Sequence, residues 1–298
     1  MDTVTLLQGD PYSELTPLIL VHAISGLALP YFALGPLSEL DEDRPIYGIS
    51  SPMFTSSLAN PLQSSLSKAA AQYVAIVRRE IQPQGPYLLG GWSMGGMIAM
   101  EMAAIFQAQG DDVAHVILID SVNPRYFPKF QDRKEHDIQS VMTYNAIAKR
   151  MNAPEIPMFR CSLFEEDYYS SSGEDSNIDT ESESEDEELS VPEMLERMRK
   201  HIHMGLGLLA EQKSRIDEFD FSETDVSLIR CSVIDNVPSI VNERRRKIST
   251  NETLLWPAES FKSFTTFSMN ATHDGCFDGD HADELTSLVK GILDGLEY

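Results

Sequence analysis

Short apolar runs alternate along the first half of the chain with longer stretches in which apolar residues recur every three or four positions. The runs are rich in Leu, Ile, Val and Tyr, as buried strands are, and occupy 17–22, 45–50, 86–92 and 113–121. The stretches between them, 68–82 and 94–110, have the periodicity of helices. Strands that alternate with helices form parallel sheets covered on both faces. The pattern therefore predicts an α/β fold with a mostly parallel sheet.

The pattern changes in the middle of the chain and then returns. Between 125 and 220 the strand pattern is missing and two amphipathic helices are predicted, over 136–151 and 191–212. Two further strands, 227–235 and 264–270, and a closing helix, 281–296, complete the pattern. We therefore expect a core made of 1–124 and 221–298, with 125–220 inserted as a helical lid.

One segment of this insertion differs from the rest in composition. Twelve acidic residues and no Lys or Arg lie between Glu165 and Glu188. Such a segment cannot bury enough apolar surface to offset the entropy of ordering, and its like charges repel one another. A disordered acidic loop is expected over 165–190.

Composition narrows the class of partner and the compartment. The chain has 23 Lys and Arg against 47 Asp and Glu, a net charge of -24, which disfavours binding to nucleic acid or to an anionic membrane. Its three cysteines, Cys161, Cys231 and Cys276, contain no CxxC pair, so neither a disulfide framework nor a cysteine metal site is expected. No secretory signal or apolar run of membrane-spanning length is recognised, so a cytoplasmic, soluble protein is predicted.

The most specific local motif is Gly91-Trp92-Ser93-Met94-Gly95, which lies between a predicted strand and a predicted helix. A G-x-S-x-G in this context forms a tight turn that lifts the serine Oγ clear of the sheet, and the glycines avoid clashes between neighbouring Cβ atoms. Ser93 is therefore the predicted nucleophile.

Acyl transfer also requires two backbone N–H donors for the oxyanion. The position of Met94, directly after the nucleophile, makes its amide one predicted donor. The other should come from the loop after the first predicted strand, where Ile24 is preferred and Ala23 is the alternative. His22, at the end of that strand, is interpreted as a packed histidine.

A general base and an acid should follow the nucleophile along the chain. His273 lies in the loop after the strand 264–270, where catalytic groups are common, whereas His281 opens the last helix. His273 is the predicted base, and His201 and His203 are interpreted as ordinary residues of the lid. Two carboxylates, Asp120 and Asp235, each end a predicted strand, and spacing alone does not separate them.

At these residues the chain resembles the thioesterases that terminate polyketide and non-ribosomal peptide synthesis, a branch of the α/β-hydrolase superfamily. The resemblance runs through PLILVHAISG, RPIYGIS, GPYLLGGWSMGG and VILIDS. It returns at His273, which is followed eight residues later by a second histidine, His281, as in fungal members. In that family the acid follows the strand after the nucleophile helix, which implies Asp120.

The resemblance implies a serine thioesterase that uses no cofactor or metal. Its substrate would be a polyketide or peptidyl chain held as a thioester on coenzyme A or on the phosphopantetheine of an acyl carrier protein or synthase, and the chain would leave by hydrolysis or cyclisation. Side chains of the predicted lid are expected to form an apolar chamber over it: Met142, Tyr144, Met151, Met158, Phe159, Met194 and Met204. A carboxylesterase and a non-catalytic binding protein of the same fold are the alternatives.

Overall fold

The computed structural model describes residues 2–37, 44–55, 63–157, 189–211, 214–234 and 248–296. Within these ranges the strands are β1 (Val4–Gln8), β2 (Leu18–Val21), β3 (Ile46–Ile49), β4 (Tyr87–Trp92), β5 (Val113–Ile119), β6 (Asp225–Cys231) and β7 (Ser263–Met269). The α-helices are α1 (Leu66–Glu80), α2 (Met94–Ala108), α3 (Arg133–Arg150), α4 (Val191–Ala210) and α5 (Asp280–Asp294).

All seven strands join one sheet, in the order β1-β3-β2-β4-β5-β6-β7. Strands β2 to β7 are parallel to their neighbours, and β1 alone pairs antiparallel, with β3. The predicted α/β class and mostly parallel sheet are thus confirmed. Strand β1 was not predicted, because at the edge of the sheet its residues are only partly buried and its sequence lacks a clear apolar run.

Alternate side chains of the central strands face two separate layers of the core. Ile19 and Val21 of β2 pack in the layer that contains α1 and α2, whereas Leu18 and Leu20 pack in the layer that contains α5. This alternation follows from the two-residue period of a strand. Because both faces are covered, β2 is buried along its whole length, as its continuous apolar run predicts.

Local capping sets where helices begin. The Ser65 side chain accepts the N–H of Lys68, so α1 starts two residues before the predicted helix. The Asp132 side chain likewise accepts the N–H of Glu135, and α3 starts at Arg133 rather than 136. Both are N-caps, which the apolar periodicity by itself does not reveal.

The segment between β5 and β6 in the chain contains α3 and α4, which pack against each other. Arg197 of α4 donates to the carbonyl oxygens of Met53 and Thr55, each at 2.9 Å, and so ties the insertion to the loop after β3. The expected acidic loop lies outside the described residues, except for Leu189 and Ser190. No helix within the described ranges is long and apolar enough to span a membrane.

Candidate active site

Ser93 occupies the turn between β4 and α2 and has backbone angles of φ 57° and ψ -123°. Side chains on neighbouring residues would not fit this turn. A Cβ on Gly91 would lie 2.4 Å from the carbonyl carbon of Gly95, and a Cβ on Gly95 would lie 2.1 Å from the carbonyl oxygen of Val21. The glycines of the G-x-S-x-G motif are therefore required by close backbone approaches on both sides of the serine.

The unusual backbone of Ser93 is held by hydrogen bonds from the neighbouring strand. Its N–H donates to the carbonyl oxygen of Ile119 at 2.9 Å, and the Ser121 hydroxyl donates to its carbonyl oxygen at 2.7 Å. A non-glycine residue in this region of φ/ψ costs about 1–3 kcal/mol, which the surroundings must offset. The result is a half-buried hydroxyl presented at the carboxyl edge of the sheet.

Ser93, His273 and Asp120 form one hydrogen-bonded chain. His273 Nε2 lies 3.0 Å from Ser93 Oγ, and His273 Nδ1 lies 2.6 Å from Asp120 Oδ2. The carboxylate can only accept, so Nδ1 carries the proton and Nε2 is left to accept from the serine. The three residues predicted as nucleophile, base and acid are thus brought together.

The turn after β5 aims the Asp120 carboxylate at His273. Asp120 has φ 42°, so β5 ends at Ile119 instead of continuing to 121 as predicted. Its N–H donates to the carbonyl oxygen of Ile229 at 2.7 Å, and its Oδ1 accepts the N–H of Cys231 at 2.9 Å. The alternative acid, Asp235, lies outside the described residues.

The loop between β7 and α5 positions His273. The Thr272 hydroxyl oxygen accepts the N–H of Gly275 at 3.0 Å, which tightens the loop directly around the histidine. The imidazole rests against Trp92, with ring centroids 5.4 Å apart. The other candidate base, His281, lies in the first turn of α5, and its N–H donates to the carbonyl oxygen of Asp278. The loop therefore presents His273, not His281, to Ser93.

Ile24 and Met94 lie side by side where β2 ends and α2 begins. A Cβ on Gly205 of α4 would lie 2.6 Å from Ile24 Cδ1 and 3.4 Å from Met94 Sδ, so both side chains contact the same point of that helix. Among the described residues, no protein acceptor is hydrogen-bonded to the N–H of either one.

His22 is packed in the core, as interpreted from the sequence, and it is fully buried. Its Nδ1 lies 2.7 Å from the carbonyl oxygen of Ala23, and its Nε2 lies 2.5 Å from the Tyr73 hydroxyl. Burial, reinforced by the nearby His201, lowers the pKa of His22 to about 3. The imidazole is consequently neutral at physiological pH.

His201 is a helix residue of the insertion, as interpreted from the sequence, and the structure shows what its side chain contacts. It is fully buried on α4, and its Nδ1 lies 3.0 Å from the carbonyl oxygen of Ile24. Burial lowers the pKa of His201 to about 4. The burial of His201 could have been predicted from the sequence, because His201 lies on the same buried helical stripe as Met198, Ile202 and Gly205.

An apolar cleft opens around Ser93, Asp120 and His273. Its other walls come from the end of β6, the segment after 248 and the start of the insertion, through Met97, Val122, Phe127, Pro128, Cys231, Val233, Ile234, Ile248, Ser249 and Leu254. The described lid residues expected to form the chamber are absent from these walls, and Met158 and Phe159 lie outside the described residues. Tyr144, for example, is buried in the core, where its hydroxyl donates to the carbonyl oxygen of Pro154.

His136, Asp137 and His203, in the insertion, bring nitrogen and oxygen atoms within 4.8 Å of one another, as metal ligands do. The two imidazoles, however, are stacked, with centroids 4.0 Å apart and planes 14° from parallel. Stacked rings direct their lone pairs side by side rather than to one point. His136 Nε2 also donates to the carbonyl oxygen of His203 at 2.8 Å. We interpret this cluster as a packing contact between α3 and α4.

Comparison with known proteins agrees with the geometry of this site. The family model of the thioesterase domain matches residues 16–208. Thioesterase pytI of Aspergillus terreus is 44% identical over 312 aligned residues, with 100% of both chains covered. The chain belongs to the thioesterase family. The predicted family and enzyme class are thereby confirmed, and the protein is a thioesterase, a hydrolase of acyl thioesters.

Two further matches place the thioesterase among its relatives. Polyketide synthase 1 of Metarhizium robertsii is 40% identical over 122 residues, which are 41% of this chain and 5% of the synthase. The solved structure of the NocB thioesterase domain, in covalent complex with a fluorophosphonate nocardicin G analog, has a TM-score of 0.63 at 23% identity. The match covers 99% of this chain and 100% of that one, so the two share a fold.

Proposed function

We propose that the thioesterase releases a polyketide or peptidyl chain from a thioester on a carrier-protein phosphopantetheine or on coenzyme A, through a covalent intermediate on Ser93. The observation that carries the proposal is the unbroken hydrogen-bond chain from Asp120 through His273 to the Ser93 hydroxyl. A serine hydroxyl is a weak nucleophile unless a base removes its proton, and a base needs a partner that holds it in the correct tautomer. This arrangement supplies both.

In the first half of the proposed cycle, Ser93 Oγ attacks the thioester carbonyl carbon while His273 Nε2 takes the hydroxyl proton. The Asp120 carboxylate stabilises the imidazolium that forms. The tetrahedral intermediate then collapses as the C–S bond breaks, and the thiol leaves with the proton from His273. The product is an ester of the acyl chain with Ser93.

The oxyanion of that intermediate requires donors, and we propose the amides of Met94 and Ile24. Met94 directly follows the nucleophile, its side chain lies beside that of Ile24, and no described residue accepts a hydrogen bond from either amide. In the second half of the cycle, His273 deprotonates water or a nucleophilic group of the acyl chain itself. The outcome is hydrolysis or cyclisation respectively. The nucleophile, base and donors are all protein groups, so the proposed cycle needs no cofactor.

The surroundings of the site support an apolar acyl group. Met97, Val122, Phe127 and Leu254 line the cleft, and apolar walls favour burial of a carbon chain over water. Insertion 125–220 is proposed as a lid, because Phe127 and Pro128 reach the cleft from its beginning. A synthase carrier domain is the proposed partner, supported by the match to a segment of Polyketide synthase 1.

The test is intact-protein mass spectrometry during turnover of acyl-N-acetylcysteamine thioesters, with free thiol followed in parallel. Wild-type enzyme should release thiol and gain the mass of the acyl group less one hydrogen. Ser93→Ala should do neither, and His273→Ala should acylate at a rate lower by a factor of about 10³ or more. Ser227→Ala is the matched control, because Ser227 lies near the amino end of β6, away from the cleft, and should behave as wild type.

Oxygen esters of the same acyl groups distinguish a thioesterase from the alternative, a carboxylesterase of the same fold. A thioesterase should prefer the thioester at equal acyl structure. Faster turnover of the oxygen ester, or thiol release that survives Ser93→Ala, would contradict the proposal.

A further inference from the structure

The orientation of the Ile24 amide depends on the carbonyl group of the residue before it. The Ala23 C=O and the Ile24 N–H belong to one planar trans peptide and point in opposite directions. Whatever holds the Ala23 oxygen therefore also sets where the Ile24 N–H points. Two donors hold that oxygen: His22 Nδ1 at 2.7 Å and the Gly26 N–H at 3.0 Å.

A second hydrogen bond determines that His22 Nδ1 carries its proton. The Tyr73 hydroxyl lies 2.5 Å from Nε2, where it can donate its hydrogen. With Nε2 accepting, the neutral ring must donate from Nδ1, and a carbonyl oxygen only accepts. Tyr73 and His22 thus form a buried hydrogen-bond chain that ends on the Ala23 oxygen.

The next peptide is held from the opposite side, by the insertion. His201 of α4 donates from Nδ1 to the carbonyl oxygen of Ile24 at 3.0 Å. Its ring stands edge-on to that of His22, with centroids 5.0 Å apart and planes at 83°. Gly26, at φ 81°, lets the loop press against this ring, because a Cβ there would lie 2.8 Å from His201 Cγ. Both peptide groups of Ile24 are consequently fixed by buried imidazoles.

We infer that His22 and His201 are positioning residues that hold the Ile24 N–H in the direction of the oxyanion. The inference rests on the proposed function, in which this amide is one of two oxyanion donors. Neither histidine touches substrate. Their contribution is to keep the donor aligned before the reaction, so that no reorganisation is needed when negative charge develops. Because His201 lies on α4, the same contact makes one donor dependent on the docking of the insertion.

The prediction concerns the transition state more than substrate binding. His22→Leu removes the donor to Ala23 while filling most of the space, so we expect kcat to fall about 10- to 100-fold with KM within about twofold. His22→Asn, whose amide nitrogen can replace Nδ1, should recover most of that loss. His201→Leu should lower kcat about tenfold. Tyr73→Phe, which keeps the ring and removes only the hydroxyl, should lower kcat about fivefold.

The deciding readout compares two inhibitors of the full-length enzyme. An alkylthio trifluoromethyl ketone accepts Ser93 Oγ at its carbonyl carbon while His273 takes the proton, which leaves an oxyanion in the same place as in the reaction. The corresponding methyl ketone remains trigonal and reports only ground-state binding. In the positioning variants, the inhibition constant of the trifluoromethyl ketone should rise by the same factor by which kcat/KM falls. The inhibition constant of the methyl ketone should stay within twofold of the wild-type value.

His115→Leu is the matched control. His115 is another buried histidine, with a pKa lowered by burial to about 4 and Nε2 hydrogen-bonded to Ser227, but it lies at the start of β5. It should lower thermal stability without changing the ratio of the two inhibition constants. A purely structural role for His22 and His201 would give this same behaviour.

The outcomes separate the inference from the function on which it rests. Wild-type enzyme without Ser93-dependent thiol release would overturn the proposed function. A wild type that turns over, with kcat and the inhibitor ratio unchanged within twofold in His22→Leu and His201→Leu, would overturn the inference alone. Should His22→Leu fail to fold, Tyr73→Phe decides the role of His22 by the same two readouts.

Discussion

Asp120→Asn tests the chemistry of the site at a single atom. In the structure, Asp120 Oδ1 accepts the N–H of Cys231 at 2.9 Å and Oδ2 accepts from His273 Nδ1 at 2.6 Å. An asparagine amide has one acceptor and two donor hydrogens. Its oxygen must take the place of Oδ1, because an NH₂ group there would face another donor. The NH₂ group is then left facing His273 Nδ1.

To form a hydrogen bond with this NH₂ group, His273 must accept at Nδ1, and its proton then lies on Nε2. In that tautomer Nε2 faces Ser93 with a hydrogen and cannot take the hydroxyl proton. The stabilisation of the imidazolium by a carboxylate is lost as well. A wrong tautomer at a catalytic serine costs about 10⁴-fold in kcat, the equivalent of about 5.5 kcal/mol. We expect this loss here, with KM changed by less than about threefold.

The assay is thiol release from an acyl-N-acetylcysteamine substrate, with Ser93→Ala as the background. Thermal denaturation serves as the fold control, because the substitution is isosteric and retains the bond to Cys231. Asp235→Asn, measured beside it, addresses the alternative acid and should retain wild-type kcat. A loss in Asp120→Asn below about tenfold, or a larger loss in Asp235→Asn, would refute the assignment of the acid.

The other predictions concern stability. Gly95→Ala places a Cβ against two backbone oxygens that cannot move away, and it should lower the free energy of unfolding by about 3 kcal/mol. Gly291→Ala, in open space on α5, is the control and should raise the free energy of unfolding by about 0.5–1 kcal/mol. Equal effects of the two substitutions in denaturant titrations would contradict the close approach at Gly95. Glu101 is fully buried and accepts from the Ser214 hydroxyl and the Arg215 N–H, so Glu101→Leu leaves both donors without their acceptor and should lower the free energy of unfolding by about 1–3 kcal/mol in the same titrations. An unchanged denaturation midpoint would count against a stabilising role for these hydrogen bonds. Burial lowers the pKa of His115 to about 4 from 6.5, so the unfolded chain binds this proton first, and the contribution of His115 to stability falls as pH drops from about 6.5 towards 4, by at most about 1.4 kcal/mol per pH unit. His22 and His201 contribute in the same direction, so His115→Gln should make the pH dependence of the unfolding free energy shallower without abolishing it, and an identical slope would refute the cause.

The sequence by itself determined the features that depend on near neighbours in the chain. The apolar runs predicted six of the strands, and in the five that lie inside the sheet, burial on both faces leaves a nearly continuous apolar signature. Gly91, Ser93 and Gly95 lie within five residues, so the nucleophile turn is encoded locally. His273 was predicted because a loop that follows a parallel strand must emerge at the same sheet edge as the nucleophile.

The tertiary structure decided what depends on contacts between distant segments. Asp120 and Asp235 each follow a predicted strand, and what brings Asp120 to His273 is the turn at φ 42° and the amide of Cys231, 111 residues away. The bond from His201 to Ile24 spans 177 positions. Periodicity reports only that a face is buried, not what it is buried against, so the partner of His201 and the walls of the cleft follow only from the packing of the insertion on the core.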